Sequence, residues 1–239
     1  MKLYHGTNGG YLGHILKAGI RPRGPNGRTN WKESVESNPR CVYLTDCYAP
    51  HFAMNAARGK VPSCAIVEID TDRLDPGNLY PDEDFLEQIG RDVDGVPGTM
   101  AQRTRFYRRQ QFTYDWPCSM VDGSVSTWWR ASLHHLGTCS HRGVIPSSAI
   151  TRAVSWPHEP NVWLGLIWDC SISLLNRQHV GERYQKLTRK LFEAEFDEDR
   201  PKAPPCPAEA AQAWFINPPL PAIEGYRRIV VTQKDATDG

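Results

Sequence analysis

The spacing of apolar positions changes several times along the chain, and each change predicts an element. Residues 2–4 read as a short strand ending at His5, after which Gly9, Gly10 and Gly13 interrupt the pattern. Tyr11 to Ala18 predicts a short helix stopped by Gly19, since glycine suits the position after a helix. Residues 20–39 are polar and rich in Gly, Pro and Asn, which describes a loop. Cys41 to Leu44 predicts a strand, and Tyr48 to Arg58 a helix with Phe52, Ala53, Ala56 and Ala57 on one face. Ser63 to Ile69 is a strong strand, followed by turn-rich acidic residues from Asp70 to Gly77 and one or two helical turns over Asp82 to Ile89.

Residues 91–123 have little apolar periodicity and read as a long loop or insertion, a length that usually signals function or disorder. Thr138 to Ile145 predicts a strand, residues 146–150 a turn, and Ala153 to Trp156 a further extended stretch. Residues 162–197 read as mostly helical, with Trp163, Trp168 and Leu164 to Ile167 as core. Pro201, Pro204, Pro205 and Pro207 mark a linker, residues 208–214 a helix, and Tyr226 to Thr232 a late strand. Strands dominate the first part with helices between and after them, so the fold class is α+β.

Composition narrows the function. The chain has 239 residues, 40% hydrophobic and 23% charged, which is enough for a sizeable core and argues against wholesale disorder. A net charge of +1 announces no polyanion partner, so local clustering has to carry such a claim. The longest apolar candidate, Val162 to Leu175, contains Asp169 and is too short to span a membrane. The start lacks the apolar core of a signal peptide, so a cytoplasmic protein without membrane attachment is expected. Seven scattered cysteines without a Cys-x-x-Cys indicate neither a disulfide framework nor a thiolate zinc site. His134, His135, Cys139 and His141 match no common zinc spacing, so no metal is expected.

The first two strands carry the chemistry. His5 can hydrogen-bond a sugar hydroxyl, and Gly6 after it lets a ligand approach the backbone, whose N–H and C=O suit a carboxamide. Tyr43 offers an aromatic face to a planar ring, and Phe52 on the following helix could supply the opposite face.

In this order, Leu3-Tyr4-His5-Gly6-Thr7, a helix ending in Ala18-Gly19-Ile20, Val42-Tyr43-Leu44-Thr45 and an alanine-rich helix, the chain resembles the ADP-ribosyltransferase superfamily. The likeness covers residues 3–70, resumes at Gly143-Val144-Ile145-Pro146, and does not account for residues 160–239. It implies a split, mainly antiparallel sheet with flanking helices over residues 1–160, with an insertion at about 91–123. A helical extension, proline-rich linker and late strand would follow over 161–239. It implies NAD⁺ as co-substrate, held by His5, Gly6, Thr7, Tyr43 and Phe52, with His5 on the ribose and Tyr43 stacked on nicotinamide. Many members add an acid or amide at the start of a late strand, and here Gly137-Thr138-Cys139-Ser140 has none. His135, beside His134, is one candidate for the missing group. Another is Asp84 in the acidic segment Asp82-Glu83-Asp84, since such a segment serves the rifamycin-modifying members. Arg40 is a third, because DarT-type toxins and tRNA 2′-phosphotransferases use an arginine there.

The acceptor is read from residues 103–116, where Arg103, Arg105, Arg108 and Arg109 are interleaved with Phe106, Tyr107, Phe112, Tyr114 and Trp116. Arginine forks suit phosphates and aromatic faces suit unstacked bases, and Trp128, Trp129 and Arg130 would extend the surface. The expected reaction is mono-ADP-ribosylation of a DNA or RNA base, as performed by bacterial or phage-defence toxins of the DarT/CmdT type. An antitoxin or chaperone is a further partner such toxins imply. Three other readings stay open: a protein ADP-ribosyltransferase, an RNA 2′-phosphotransferase, and a non-catalytic NAD⁺ or ADP-ribose binding module. Against the second, Tyr43 stands where those phosphotransferases place a histidine.

Overall fold

The computed structural model describes residues 1–27, 35–46, 48–57, 62–90, 98–113, 128–158 and 227–231. Its strands are β1 (Lys2–Asn8), β2 (Cys41–Thr45), β3 (Ser63–Asp70), β4 (Leu79–Pro81), β5 (Thr138–Arg142), β6 (Ile150–Pro157) and β7 (Arg227–Val230). They form one sheet in the order β4-β5-β2-β1-β3-β6-β7, and every neighbouring pair is antiparallel. The helices are α1 (Leu12–Ala18), α2 (Ala49–Ala56), α3 (Glu83–Gly90), α4 (Met100–Thr113) and α5 (Trp128–Leu136). The α+β class is therefore observed.

Side chains alternate between the two faces of a strand, and both faces of this sheet are covered. One face carries Leu3, Val42, Leu44, Ala65, Val67, Ile69, Cys139 and Ala153, packed with Leu12 and Ile15 of α1 and Trp129 and Leu133 of α5. The opposite face carries Tyr4, Cys64, Ile66, Val154 and Trp156 under Ala49, Ala53 and Met54 of α2. A third apolar cluster, Val35, Phe85, Leu86 and Tyr107, joins α3 to α4. Gly19 ends α1 with φ 81°, and a Cβ there would lie 2.1 Å from the carbonyl oxygen of Ile145. Only glycine adopts that conformation at no steric cost, so the stop read from the sequence is also a packing requirement.

The sheet is continuous on one side and nearly parted in the middle. β1 pairs with β3 along its whole length, from Lys2 opposite Asp70 to Asn8 opposite Cys64. β1 and β2 are paired at one position, Tyr4 opposite Thr45. Towards Asn8 and Cys41 the sheet is thus divided into a β4-β5-β2 half and a β1-β3-β6-β7 half.

Most elements fall within a few residues of where the apolar spacing puts them; α2 stops at Ala56 and β5 at Arg142, short of the expected Arg58 and Ile145, and four larger departures follow. β1 continues past His5 to Asn8, because β3 supplies a partner for each residue. β4 was not foreseen; three residues are too short to show an alternation.

The expected long loop over 91–123 is overturned in its middle, which is the fourteen-residue helix α4. Its buried residues Thr104, Tyr107, Gln110 and Gln111 recur at helical spacing, but three of the four are polar, so apolar periodicity is blind to them. Thr99 and Gln102, whose side chains hydrogen-bond each other at 2.6 Å, form the Thr-x-x-Gln pattern of a helix start. The fourth departure concerns Trp128, Trp129 and Arg130, which open helix α5 instead of extending a surface. Trp129 is buried in the main core and Arg130 lies over its ring at 5.2 Å. The helical extension expected over 162–197, its core tryptophans, the proline linker and the helix at 208–214 lie outside the described residues; the late strand is present as β7, paired with β6.

Candidate active site

Where β1 and β2 part, a side chain takes the place of a ladder hydrogen bond. His5 Nδ1 lies 2.9 Å from the carbonyl oxygen of Tyr43. A carbonyl only accepts, so Nδ1 carries the proton, and in the neutral ring Nε2 is left as an acceptor. Burial holds the His5 pKa below its ordinary value, while the bond to Tyr43 pulls the other way. The ring is therefore neutral at neutral pH, with one nitrogen fixed and the other available to a hydroxyl donor.

At Gly6, where the sequence suggests the close approach of a ligand, the close approach is made by helix α2. A Cβ on Gly6 would lie 2.1 Å from the Ala49 carbonyl oxygen, 2.6 Å from the Ala53 nitrogen and 2.9 Å from Phe52 Cβ. The glycine is required by α2, which presses its backbone onto β1, and that packing sets Phe52 beside Gly6. Phe52 is half-buried and meets Tyr48 and His51 edge-on at 6.3 and 5.8 Å. Thr7 is buried. Asn8 ties this end of β1 to α2 by donating to the Ala56 carbonyl at 3.3 Å.

Tyr43 is half-buried on β2, and its hydroxyl is fixed on several sides. It donates to the Glu83 carboxyl group, at 2.5 and 2.6 Å from the two oxygens, and accepts from the Asn38 N–H at 2.5 Å. Glu83 is buried and also accepts from the Asn38 N–H at 3.0 Å and from Gln111 Nε2 at 2.9 Å. Gln111 is the hub of the cluster. Its Nε2 reaches Glu83, the Pro81 carbonyl at 2.9 Å and Ser140 Oγ at 3.0 Å, while its Oε1 accepts from Asn38 Nδ2 at 2.9 Å. One network thus joins β2, α3, α4, β5 and the segment before β2. Burial, and then the neighbouring Asp82 charge, push the Glu83 carboxyl well above the usual range; burial and Glu83 do the same to the Tyr43 phenol.

The other predicted residues are placed less centrally. Asp84 is half-buried, and its N–H is held by Asp82 Oδ1 at 3.1 Å in the first turn of α3; its neighbour Glu83 is the acid that meets Tyr43. Within the acidic segment it is Glu83, and not Asp84, whose carboxyl group reaches Tyr43. Helical spacing turns adjacent residues about 100° apart, so only one of the two can face β2. Arg40 is exposed just before β2, its carbonyl accepting from the Gly143 N–H at 2.9 Å. His134 and His135 belong to the last turn of α5, and their side chains lie outside the described set.

The arginine-rich segment is only partly a free surface. Arg103 pairs with Glu87, and Arg108 pairs with Glu36 at 2.9 Å and donates to the Ser37 carbonyl at 2.8 Å. Tyr107 is fully buried. Those three residues, read from the sequence as binding nucleic acid, instead hold α4 to the body of the protein. Arg105 and Arg109 remain exposed. Tyr114 and Trp116 lie outside the described residues.

Glu83 and Gln111 are the site residues that sequence reasoning missed. The acidic segment pointed to the first, and nothing pointed to the second. Among the described cysteines a nucleophile is disfavoured, since burial pushes the Cys41 and Cys64 thiols up to about 12 and holds the Cys139 thiol well above its ordinary value. Among the described residues, no group of three or more His, Cys, Asp or Glu side chains is arranged to hold a metal ion, and no helix is long and apolar enough to cross a membrane. No known protein-family model matches the chain, and no curated protein matches its sequence.

Proposed function

We propose that the chain is an NAD⁺-dependent mono-ADP-ribosyltransferase of the ADP-ribosyltransferase fold type, acting on a nucleic acid. The observation that carries this reading is the parting of β1 from β2, with His5 bridging it and the Tyr43 ring beside it. A dinucleotide needs a hydroxyl acceptor for ribose, a flat face for nicotinamide and backbone groups for its carboxamide. His5 Nε2, Tyr43 and the Gly6 backbone supply those three, with Phe52 and Thr7 completing the wall.

In the reaction the bond between nicotinamide nitrogen and ribose C1′ breaks, and the bonding pair leaves with neutral nicotinamide. The acceptor nucleophile bonds to C1′ and gives up a proton. Positive charge builds on the sugar in between, so a site that fixes both fragments lowers the barrier. His5 orients the ribose, and Tyr43 holds the leaving ring by stacking. Glu83 acts through Tyr43: it fixes the phenol and so the plane of the ring, which makes it a positioning residue.

The test is incubation with labelled NAD⁺ and separate DNA, RNA and protein pools, with nicotinamide release followed by chromatography. Label in nucleic acid is expected. Neither nicotinamide release nor label with any pool, from protein shown to be folded, overturns the proposal, and label in protein alone overturns the acceptor. Tyr43→Ala should lower turnover roughly 5- to 150-fold through lost stacking of about 1–3 kcal/mol.

One observation favours a second reading, a non-catalytic NAD⁺ or ADP-ribose binding module. Glu83, the acid nearest Tyr43, is buried and engaged by Tyr43 and Gln111, which leaves it poorly placed to take a proton from an acceptor. Tight NAD⁺ binding without nicotinamide release selects this reading.

A further inference from the structure

The fold assembles a basic surface that no single stretch of sequence contains. Arg105, Arg109 and Phe112 are spaced i, i+4 and i+7 on α4, so they share one stripe of the helix. This stripe is opposite the face that buries Thr104, Tyr107 and Gln111. Arg142, at the end of β5, lies over the Phe112 ring at 4.9 Å, which joins β5 to the stripe. Arg142 is opposite Cys41 in the sheet, and the Arg40 carbonyl accepts from the Gly143 N–H at 2.9 Å, which brings the Arg40 backbone alongside the end of β5. Arg40, Arg105, Arg109 and Arg142 are all exposed, and none of them is in an ion pair among the described residues. The acids that meet α4 are already engaged, Glu36 by Arg23 and Arg108, Glu87 by Arg103, and Glu83 by Tyr43 and Gln111.

This row ends at the candidate site. Phe112 follows Gln111, the hub of the Tyr43 network, and Arg142 shares a face of β5 with Ser140, which is opposite Tyr43. Four arginines from α4, β5 and the segment before β2, without acidic partners among the described residues and leading to a proposed transfer site, fit a repeating anion on a flexible chain. Guanidinium forks match phosphate oxygens.

We infer that Arg40, Arg142, Arg109 and Arg105 form a track for the phosphodiester backbone of a nucleic-acid strand and lead that strand towards Tyr43, where β1 and β2 part. The inference rests on the transferase reading only for the strand's role as acceptor. Binding itself is independent of NAD⁺, so the two stand or fall separately.

The test is fluorescence anisotropy with the full chain, without NAD⁺, on short labelled single-stranded DNA, single-stranded RNA and duplex DNA, with polyglutamate as competitor. Binding to at least one strand should weaken about 50-fold between roughly 50 and 200 mM salt, from ~0.7 in log–log slope for each of the four arginines on a single strand. A variant with all four changed to Gln should lose binding and flatten that slope by about 3. Lys2→Gln with Arg73→Gln, at the Asp70 end of β3, should leave both unchanged. Arg105→Glu with Arg109→Glu touches only the exposed stripe of α4 and should abolish binding even if the fourfold variant misfolds. Unchanged affinity and slope in a folded arginine variant, equal competition by polyglutamate, or no binding to any of the three probes overturns the track. Salt-sensitive strand binding without nicotinamide release upholds the track and removes the transferase.

Discussion

The two halves of the sheet are built on different principles. In the β1-β3-β6-β7 half, most buried positions are apolar, Thr7 and the Arg152-paired Glu68 being exceptions: Ile66, Val67, Ile69, Val154 and Trp156 pack against the alanines of α2 or the apolar core on the other face. In the β4-β5-β2 half, Tyr43, Ser140 and the Pro81 carbonyl instead meet Glu83, Gln111 and Asn38. Apolar burial is non-directional and tolerates adjustment, whereas a buried polar cluster holds only when every member is satisfied. One half is therefore scaffold and the other specifies where a few polar atoms sit, and the proposed site lies at their seam.

Breaking each half should show this difference. The largest loss is expected on the scaffold. Ile66→Ala leaves a cavity in fully buried packing and should cost about 2–5 kcal/mol in urea unfolding, with the polar half unaltered. A loss below that range would mean that the α2 face collapses readily around the gap.

At the seam, Gly6→Ala forces a methyl group into the backbone of α2 and should cost about 1–3 kcal/mol. Because the helix has to shift, nicotinamide release should fall in the same variant. Normal stability with normal activity would remove the close approach of α2 as a determinant of the site.

In the polar half, Glu83→Ala strips partners from Tyr43, Gln111 and the Asn38 N–H and should cost roughly 1–3 kcal/mol. Glu83→Gln separates charge from shape. The Glu83 carboxyl has a folded pKa above its unfolded one, so the folded state binds the extra proton. Its contribution to stability is full below the unfolded pKa of about 4.3 and is lost as pH rises towards the folded value. Thermal melts between pH 5 and 8 should show Glu83→Gln gaining on the wild type as pH rises, by at most about 1.4 kcal/mol for each pH unit. A gap that is flat with pH would mean that Glu83 is ionised in the fold.

The smallest effect concerns His5. Its folded pKa is depressed, so the stability tied to the neutral ring is present above about pH 6.5 and lost as pH falls through the folded value. His5→Asn should blunt that acid-side decline, as read by the same melts below pH 6.5.

The scaffold half was legible in the sequence because its chemistry is periodic. Ser63 to Ile69, Tyr48 to Arg58 and the Gly19 stop announce themselves through spacing and glycine conformation. His5, Gly6 and Tyr43 stand out in the sequence only as residue types, and the dinucleotide read from them is the proposal made above. The polar half was not, because Glu83 and Gln111 sit on α3 and α4 faces whose burial is compensated by hydrogen bonds and leaves no apolar signature. For the same reason α4 was read as loop.

By itself the sequence determined the α+β class and most element positions, among them one strand that carries His5 and one that carries Tyr43, since each follows from local spacing. Only tertiary structure decided that β1 and β2 part after a single pair, that His5 closes the gap through the Tyr43 carbonyl, and that Glu83, not Asp84, fixes the Tyr43 hydroxyl. It also decided that Arg103 and Arg108 face inward while Arg40 and Arg142 join Arg105 and Arg109. Hydrogen bonds and ion pairs between residues tens of positions apart depend on which faces the packing brings together, and no local pattern encodes that.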